Sequence, residues 1–185
     1  MLIILGKTAS GKDTIVNKLV KDYGYKKIIT YTTRDMRKGE KQDVTYHFVS
    51  EDEFRQKIDK GFFAEYKTYN TEFGKWYYGS ALEDLNNADD KTVIILTPQG
   101  YRDVKDKLLN KNITTVYIYA DNETLKKRLV NRGDDPKEAA RRIKHDNVDF
   151  KHIEREVDSV IYNKEGTNIN DIVSDIISAL NKEIN

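Results

Sequence analysis

The chain contains no cysteine, and only 2 prolines, 1 tryptophan and 2 methionines among its 185 residues. Without thiols it forms no disulfide, builds no thiolate metal site and offers no thiol nucleophile. That composition suits a reducing compartment. An excess of one charge sign is missing as well: 32 lysines and arginines face 31 aspartates and glutamates, a formal net charge of +1. Proteins dedicated to nucleic acid or to anionic membrane surfaces usually carry a basic surplus, so neither partner is expected. Long apolar runs are absent too. The first one, Leu2-Ile3-Ile4-Leu5, is too short for a signal-peptide core, and no stretch is long enough to span a bilayer. A soluble, cytoplasmic protein is the expectation. No repeat or low-complexity segment interrupts a length that suits one domain with a small inserted subdomain.

What the sequence does contain starts with those four apolar residues, which read as a fully buried strand. They lead into Gly6-Lys7-Thr8-Ala9-Ser10-Gly11-Lys12-Asp13-Thr14. Ile15, Val16, Leu19, Val20 and Tyr23 then recur at helical spacing. Strand, G-x-x-x-x-G-K and helix in that order make a phosphate-binding P-loop in its required context. Successive backbone N–H groups wrap a phosphate, the helix N-terminus adds its positive end, and Lys12 supplies a charge for the β- and γ-phosphates. The position after the lysine, normally Ser or Thr on Mg²⁺, is Asp13, with Thr14 one place later. A carboxylate is a competent hard-oxygen ligand, so Asp13 or Thr14 is the expected metal contact.

Further strand-like runs at Lys27–Tyr31, Thr92–Thr97, Thr114–Tyr119 and Ser159–Tyr162 alternate with helical patterns, one near Gly100–Leu109 and one carrying a core stripe from Ile169 to Leu180. That alternation predicts parallel strands with crossover helices. Two stretches break it: 34–86, rich in tyrosine and short strands, and 122–150, helical and dense in arginine. Ser50-Glu51-Asp52-Glu53 is a capping box with Phe54 and Ile58 facing inward. Asp135-Pro136-Lys137-Glu138 starts another helix, separated from its predecessor by the hinge Arg132-Gly133-Asp134.

Arg34 and Arg37, three apart in a polar turn, are suited to gripping a phosphate dianion bidentately. Tyr46 and Tyr78 add hydroxyl donors, so these four residues read as a second phosphate clamp beside the P-loop. The surrounding residues, Thr32-Thr33-Arg34-Asp35-Met36-Arg37-Lys38-Gly39-Glu40, Tyr46-His47-Phe48-Val49-Ser50, Glu53-Phe54, Phe63-Ala64-Glu65 and Tyr77-Tyr78-Gly79-Ser80, follow the order T-T-R-x-x-R-x-G-E, Y-x-F-V-S-x-x-E-F, F-x-E, Y-Y-G. The chain thereby resembles the guanylate kinase family over nearly its whole length. The resemblance implies a three-layer α/β P-loop fold: a parallel-sheet core (1–33, 87–121 and 151–185), an inserted, partly antiparallel nucleotide-monophosphate subdomain (about 34–86) and a helical lid (about 122–150). It implies Mg²⁺-assisted transfer of a phosphoryl group from ATP to GMP or dGMP. ATP would lie on Gly6, Thr8, Ala9, Ser10, Gly11, Lys12, Asp13 and Thr14, with Arg128 and Asn163 beside it. GMP would be held by Thr30, Arg34, Arg37, Tyr46, Glu65, Tyr78, Ser80 and Thr97. Lys12, Arg132 and Arg142 would carry catalysis.

Glu65 suits guanine because a carboxylate accepts from both N1–H and the 2-amino group, while Thr30 donates to O6. Adenine would set a lone pair against that carboxylate, and such sites reject the unsatisfied analogue by up to about 10⁴–10⁵. The sequence departs from the family at Ile95 and Thr97, where the family carries aspartates before its Q-G turn, and in the loop expected from Tyr69 to Trp76, which is a few residues longer. Altered base choice is therefore the nearest rival reading. A non-catalytic, guanylate-kinase-like protein-binding module and a hydrolysing nucleotide switch are the others. His47, His145 and His152 show no ligand spacing and read as structural; an ionised acceptor phosphate needs no general base.

Overall fold

The computed structural model describes residues 1–182. A five-stranded, all-parallel sheet forms its centre. β1 (Leu2–Gly6) lies between β7 (Thr92–Ile95) and β8 (Thr114–Tyr119), with β2 (Lys26–Lys27) and β9 (Ser159–Tyr162) at the edges. All five residues of β1 are buried. Leu2 and Ile4 join Val93, Val116 and Ile118 on one face, packed on Ile15, Val16 and Leu19 of α1 (Lys12–Tyr23) and Ile172, Val173 and Ile176 of α7 (Ile169–Lys182). Ile3 and Leu5 face the other way, with Ile94, Tyr117, Val104 and Phe150. Helices on both faces explain why β1 reads as an unbroken apolar run and not as an alternation. Each such side chain contributes about 1.5–3 kcal/mol of transfer free energy.

A second, mixed sheet has the order β4-β3-β6-β5, formed by β3 (Tyr31–Thr32), β4 (His47–Phe48), β5 (Phe63–Thr71) and β6 (Gly74–Ala81). The run expected as one strand, Lys27–Tyr31, is divided: Lys26–Lys27 pair with β7 in the first sheet, and Tyr31–Thr32 pair with β4 and β6 in the second. Periodicity in five residues does not reveal that a strand changes sheet. Nor is Tyr69 to Trp76 a loop. It is the distal half of the β5–β6 hairpin, with Tyr69 opposite Trp76 and Thr71 opposite Gly74.

Helix starts follow local chemistry. Ser50 Oγ accepts from the Glu53 N–H at 3.1 Å and begins α2 (Glu51–Asp59), whose Phe54 is fully buried; α3 (Leu82–Asn86) follows β6 directly. α4 (Pro98–Lys105) begins earlier than expected, because Thr97 caps the Gly100 N–H and Pro98 takes the first turn. It gives way to a 3₁₀ turn at Asp106–Leu108. α5 (Asn122–Arg132), capped by Asp121, ends at left-handed Gly133; α6 (Pro136–Asp149), capped by Asp135, follows immediately. Among the described residues no helix is long and apolar enough to cross a membrane.

Candidate active site

The C-terminal end of β1, the second sheet and α5–α6 enclose a cleft of about 780 Å³. All the residues expected to bind nucleotide line it except Ser10. The Ser10 side chain is fully buried beneath the loop, with its Oγ 2.4 Å from where a Cβ on Gly6 would sit. A Cβ on Gly11, at φ +92°, would meet the Asn163 amide at 2.4 Å. Both glycines are therefore required by close approach. Asn163 donates to the Ser10 carbonyl at 2.8 Å, and Arg128 donates to Asn163 Oδ1 at 3.1 Å and to the Ala9 carbonyl at 3.3 Å. These two residues brace the back of the P-loop. Lys12 stands in the cleft, one-fifth exposed, with Asp13 Oδ2 at 3.7 Å and more than half exposed.

Across the cleft, Arg34 is only 4% exposed and lies over the rings of Tyr46 and Phe48, at 5.6 and 5.7 Å. Glu40 accepts from Arg34 at 2.8 and 2.9 Å and from the Arg37 N–H at 2.7 Å, which fixes the turn carrying both arginines. Burial opposes the charge on Arg34, but the bond to Glu40 outweighs it and holds its pKa above the ordinary value. Arg37 is shifted the other way, by burial first and then by the like charges of Arg34, Arg142 and Arg132. Asp134 acts the other way on Arg37, and the four guanidinium groups, from the turn after β3 and from α5–α6, line one cleft. Tyr46 is held well above its usual range by burial and by the negative charge of Asp13. Tyr46 and Tyr78 rings meet edge to face at 6.0 Å.

The arginines of α5–α6 are aimed by acids. Asp134 accepts from Arg132 at 2.6 and 2.7 Å. Glu138 accepts from Arg141 at 2.8 and 2.9 Å and from Arg142 at 2.8 Å. At the inner end of the second sheet, a bulge between Phe63 and Glu65 turns the Glu65 carboxylate inward. Ser80, itself fully buried, donates to it at 2.6 Å. Burial raises the Glu65 carboxyl despite that bond. Gly100 lies against it: a Cβ there would stand 2.9 Å from Glu65 Oε2. Thr30 and Thr97 line the same cleft.

Sequence reasoning left several of these residues without a role. Glu138 was legible, three and four residues before Arg141 and Arg142 on one helix face. Asp134, two residues beyond Arg132, is the counter-ion in the hinge. Asp146 carries no local signal: its carboxylate accepts the Thr8 N–H at 2.6 Å from 138 residues away, and burial pushes it up. Beside it Asn147 accepts from Lys7 at 2.7 Å. His145, read as structural, also lines the cleft and packs on Tyr69 at 5.3 Å.

The P-loop and the arginines and tyrosines that share its cleft are accompanied by likeness in sequence. The sequence model described as guanylate kinase matches residues 1–183. The chain belongs to the guanylate kinase family. The guanylate kinase of Malacoplasma penetrans is 33% identical over 184 residues, covering 96% of this chain and 91% of that protein. The guanylate kinase of Campylobacter jejuni strain RM1221 is 32% identical over 140 residues, covering 73% of this chain; the match spans 66% of that protein's length. The crystal structure of guanylate kinase from Anaplasma phagocytophilum superposes with a TM-score of 0.71 at 25% identity, over 99% of this chain and 85% of that one. Within this guanylate kinase family member, Ile95 and Thr97 put an alkyl chain and a hydroxyl on the cleft wall. The Thr97 oxygen accepts from the Gly100 N–H at 3.0 Å, which leaves its proton available to donate.

Proposed function

We propose that this chain transfers the terminal phosphoryl group of ATP to GMP or dGMP, as a cytoplasmic nucleoside monophosphate kinase. Residues 34–86 bind the acceptor and 122–150 close as a lid over the 1–33, 87–121 and 151–185 core. The observation that carries the reading is the shared cleft: Lys12 of the P-loop and the Arg34–Arg37–Tyr46–Tyr78 clamp line it together, with Arg132 and Arg142 from the lid. A site for one nucleotide needs only the first set. Two sets separated by one cavity suit direct, in-line transfer between two phosphates.

In this mechanism the P-loop N–H groups and Lys12 hold the donor's β- and γ-phosphates. Arg34 and Arg37 grip the acceptor phosphate, and the tyrosine hydroxyls orient it. Arg132 and Arg142, locked by Asp134 and Glu138, bring positive charge to the transferring oxygens, an effect worth about 10³–10⁵ in rate for comparable arginines. The acceptor's phosphate is the nucleophile, so no histidine is needed as a base. Glu65, with Ser80 behind it and Thr30 beside it, reads the guanine edge.

Asp13 would hold a magnesium ion: its carboxylate is a hard-oxygen donor, more than half exposed beside Lys12 in the cleft. When bound, the ion neutralises charge on the phosphates. ADP release with GMP, dGMP, AMP, CMP and UMP tests the proposal; GMP and dGMP are expected to exceed the others by at least about 10³. Comparable turnover of AMP or CMP would favour the altered-base reading that Ile95 and Thr97 motivate. No turnover with any acceptor, while ATP is hydrolysed or ignored, would sink the kinase.

A further inference from the structure

The longer segment from Tyr69 to Trp76 reaches the lid. Strand pairing continues to the tip of the β5–β6 hairpin, and Phe73 there stacks on Trp76, with ring centroids 6.2 Å apart and planes 12° from parallel. The far side of this hairpin meets α6. Tyr69 touches His145, and the Arg142 guanidinium lies 5.6 Å from the centre of the Trp76 ring. Arg142 is thus held from two directions. Glu138 and Asp134, both of the lid, accept from its Nε and Nη1 at 2.8 and 3.5 Å. Trp76 covers it from the acceptor sheet. The arginine is mostly buried, at 14% side-chain exposure, and Trp76 is half-buried in the cleft wall. An indole face attracts a guanidinium most strongly when both are shielded from water.

We propose that Trp76 is a positioning residue for phosphoryl transfer, its indole seating the Arg142 guanidinium so that the acceptor half of the molecule sets the aim of a lid arginine. The inference rests on the kinase reading above. It assigns Trp76 no contact with either nucleotide, so its loss acts on the chemical step and not on acceptor binding. Removing the π-face while keeping an apolar side chain loosens Arg142 and leaves the Arg34–Arg37 clamp in place. A phenyl ring retains a weaker version of the same seat.

The test uses the full chain and its single tryptophan. Trp76→Leu is expected to lower kcat with GMP about tenfold while KM for GMP stays within about twofold; Trp76→Phe is expected to recover most of kcat. In the protein without nucleotide, Arg142→Met is expected to shift the Trp76 emission, which reports the contact independently of turnover. Circular dichroism and Tm establish that each variant folds. An active wild type whose Trp76→Leu form keeps its kcat, or changes only KM, overturns the inference and leaves the kinase intact. The same holds if Trp76→Phe is as slow as Trp76→Leu, or if Arg142→Met leaves the emission unmoved. A wild type that phosphorylates no acceptor overturns both readings together.

Discussion

Lys12 and Arg37 both bring positive charge into the cleft, yet they should fail differently when removed. Lys12 projects from the first turn of α1 with its side chain in the cleft and not in the core. On the proposed mechanism Lys12→Ala is expected to lower kcat by about 10³ or more, since it removes the charge that would meet the transferred group. Its circular dichroism and Tm should match the wild type. On the proposed reading Arg37 grips the acceptor phosphate, and a charge-assisted bond is worth about 1.5–3 kcal/mol. Arg37→Ala should therefore raise KM for GMP about ten- to a hundredfold with a smaller change in kcat, read from initial rates at varied GMP. Because burial and Arg34, Arg142 and Arg132 already strain its charge, that variant should melt no lower than the wild type. Individual side chains of this kind are the most legible feature of the sequence: glycine spacing and the lysine announce the P-loop, and Arg34-x-x-Arg37 announces two arginines on one turn, both of which line the cleft. Glu40 appears in the sequence only as the last letter of a motif. Its work, bonding Arg34 and the Arg37 N–H together, depends on how a turn folds back, which spacing alone does not give.

At the scale of elements, α5 and α6 meet through a short acidic hinge, and Glu138 is its anchor. Burial would raise that carboxyl, but bonds from Arg141 and Arg142 outweigh it and hold it down at about 2. A carboxylate depressed in the folded state stabilises it above its unfolded pKa, ordinarily 4.5, and that contribution disappears as pH falls through the folded value. Glu138→Gln is therefore expected to lower Tm at pH 7. The difference from wild type should shrink between about pH 4.5 and pH 2, measured by thermal melts across that range. Helix starts at Ser50 and Asp135 were legible because capping is local. The divided strand at 26–32 was not, since which sheet a residue joins is decided by partners far along the chain. Nor was the β5–β6 hairpin, whose Glu72-Phe73 turn lacks the asparagine–glycine signature of tight hairpins.

The whole molecule is bound together along α6, which meets the P-loop through Asp146 and Asn147 and the β5–β6 hairpin through Arg142 and His145. Asp146 costs stability. Burial raises its folded pKa above the ordinary 3.8 despite the Thr8 N–H and the charge of Lys12. The penalty is absent below about pH 3.8, grows as pH climbs, and is complete above the folded pKa. Asp146→Asn keeps an oxygen for the Thr8 N–H and removes the buried charge. It should melt higher than wild type at pH 7, with the gain vanishing toward pH 3; a lower melting point at pH 7 would contradict this account. Parallel strands alternating with helices make the overall architecture readable from apolar runs alone. That α6 packs against the P-loop, with Asp146 138 residues from Thr8, is a tertiary fact no window of sequence holds.

The placement of β1 carries a kinetic consequence. Its two neighbours, β7 and β8, lie some ninety to a hundred and ten positions downstream, at Leu2 opposite Val93 and Thr114. The nearby α1 covers only the Leu2 and Ile4 face, and no nearby strand pairs the backbone of Leu2-Ile3-Ile4-Leu5 in the meantime. Distant pairing of this sort makes assembly slow, and an aliphatic strand with both edges unpaired is a ready seed for clumping between chains. Refolding yield should therefore fall with protein concentration, and should depend more on how soon residues 92–119 are available than on the segment that follows β1.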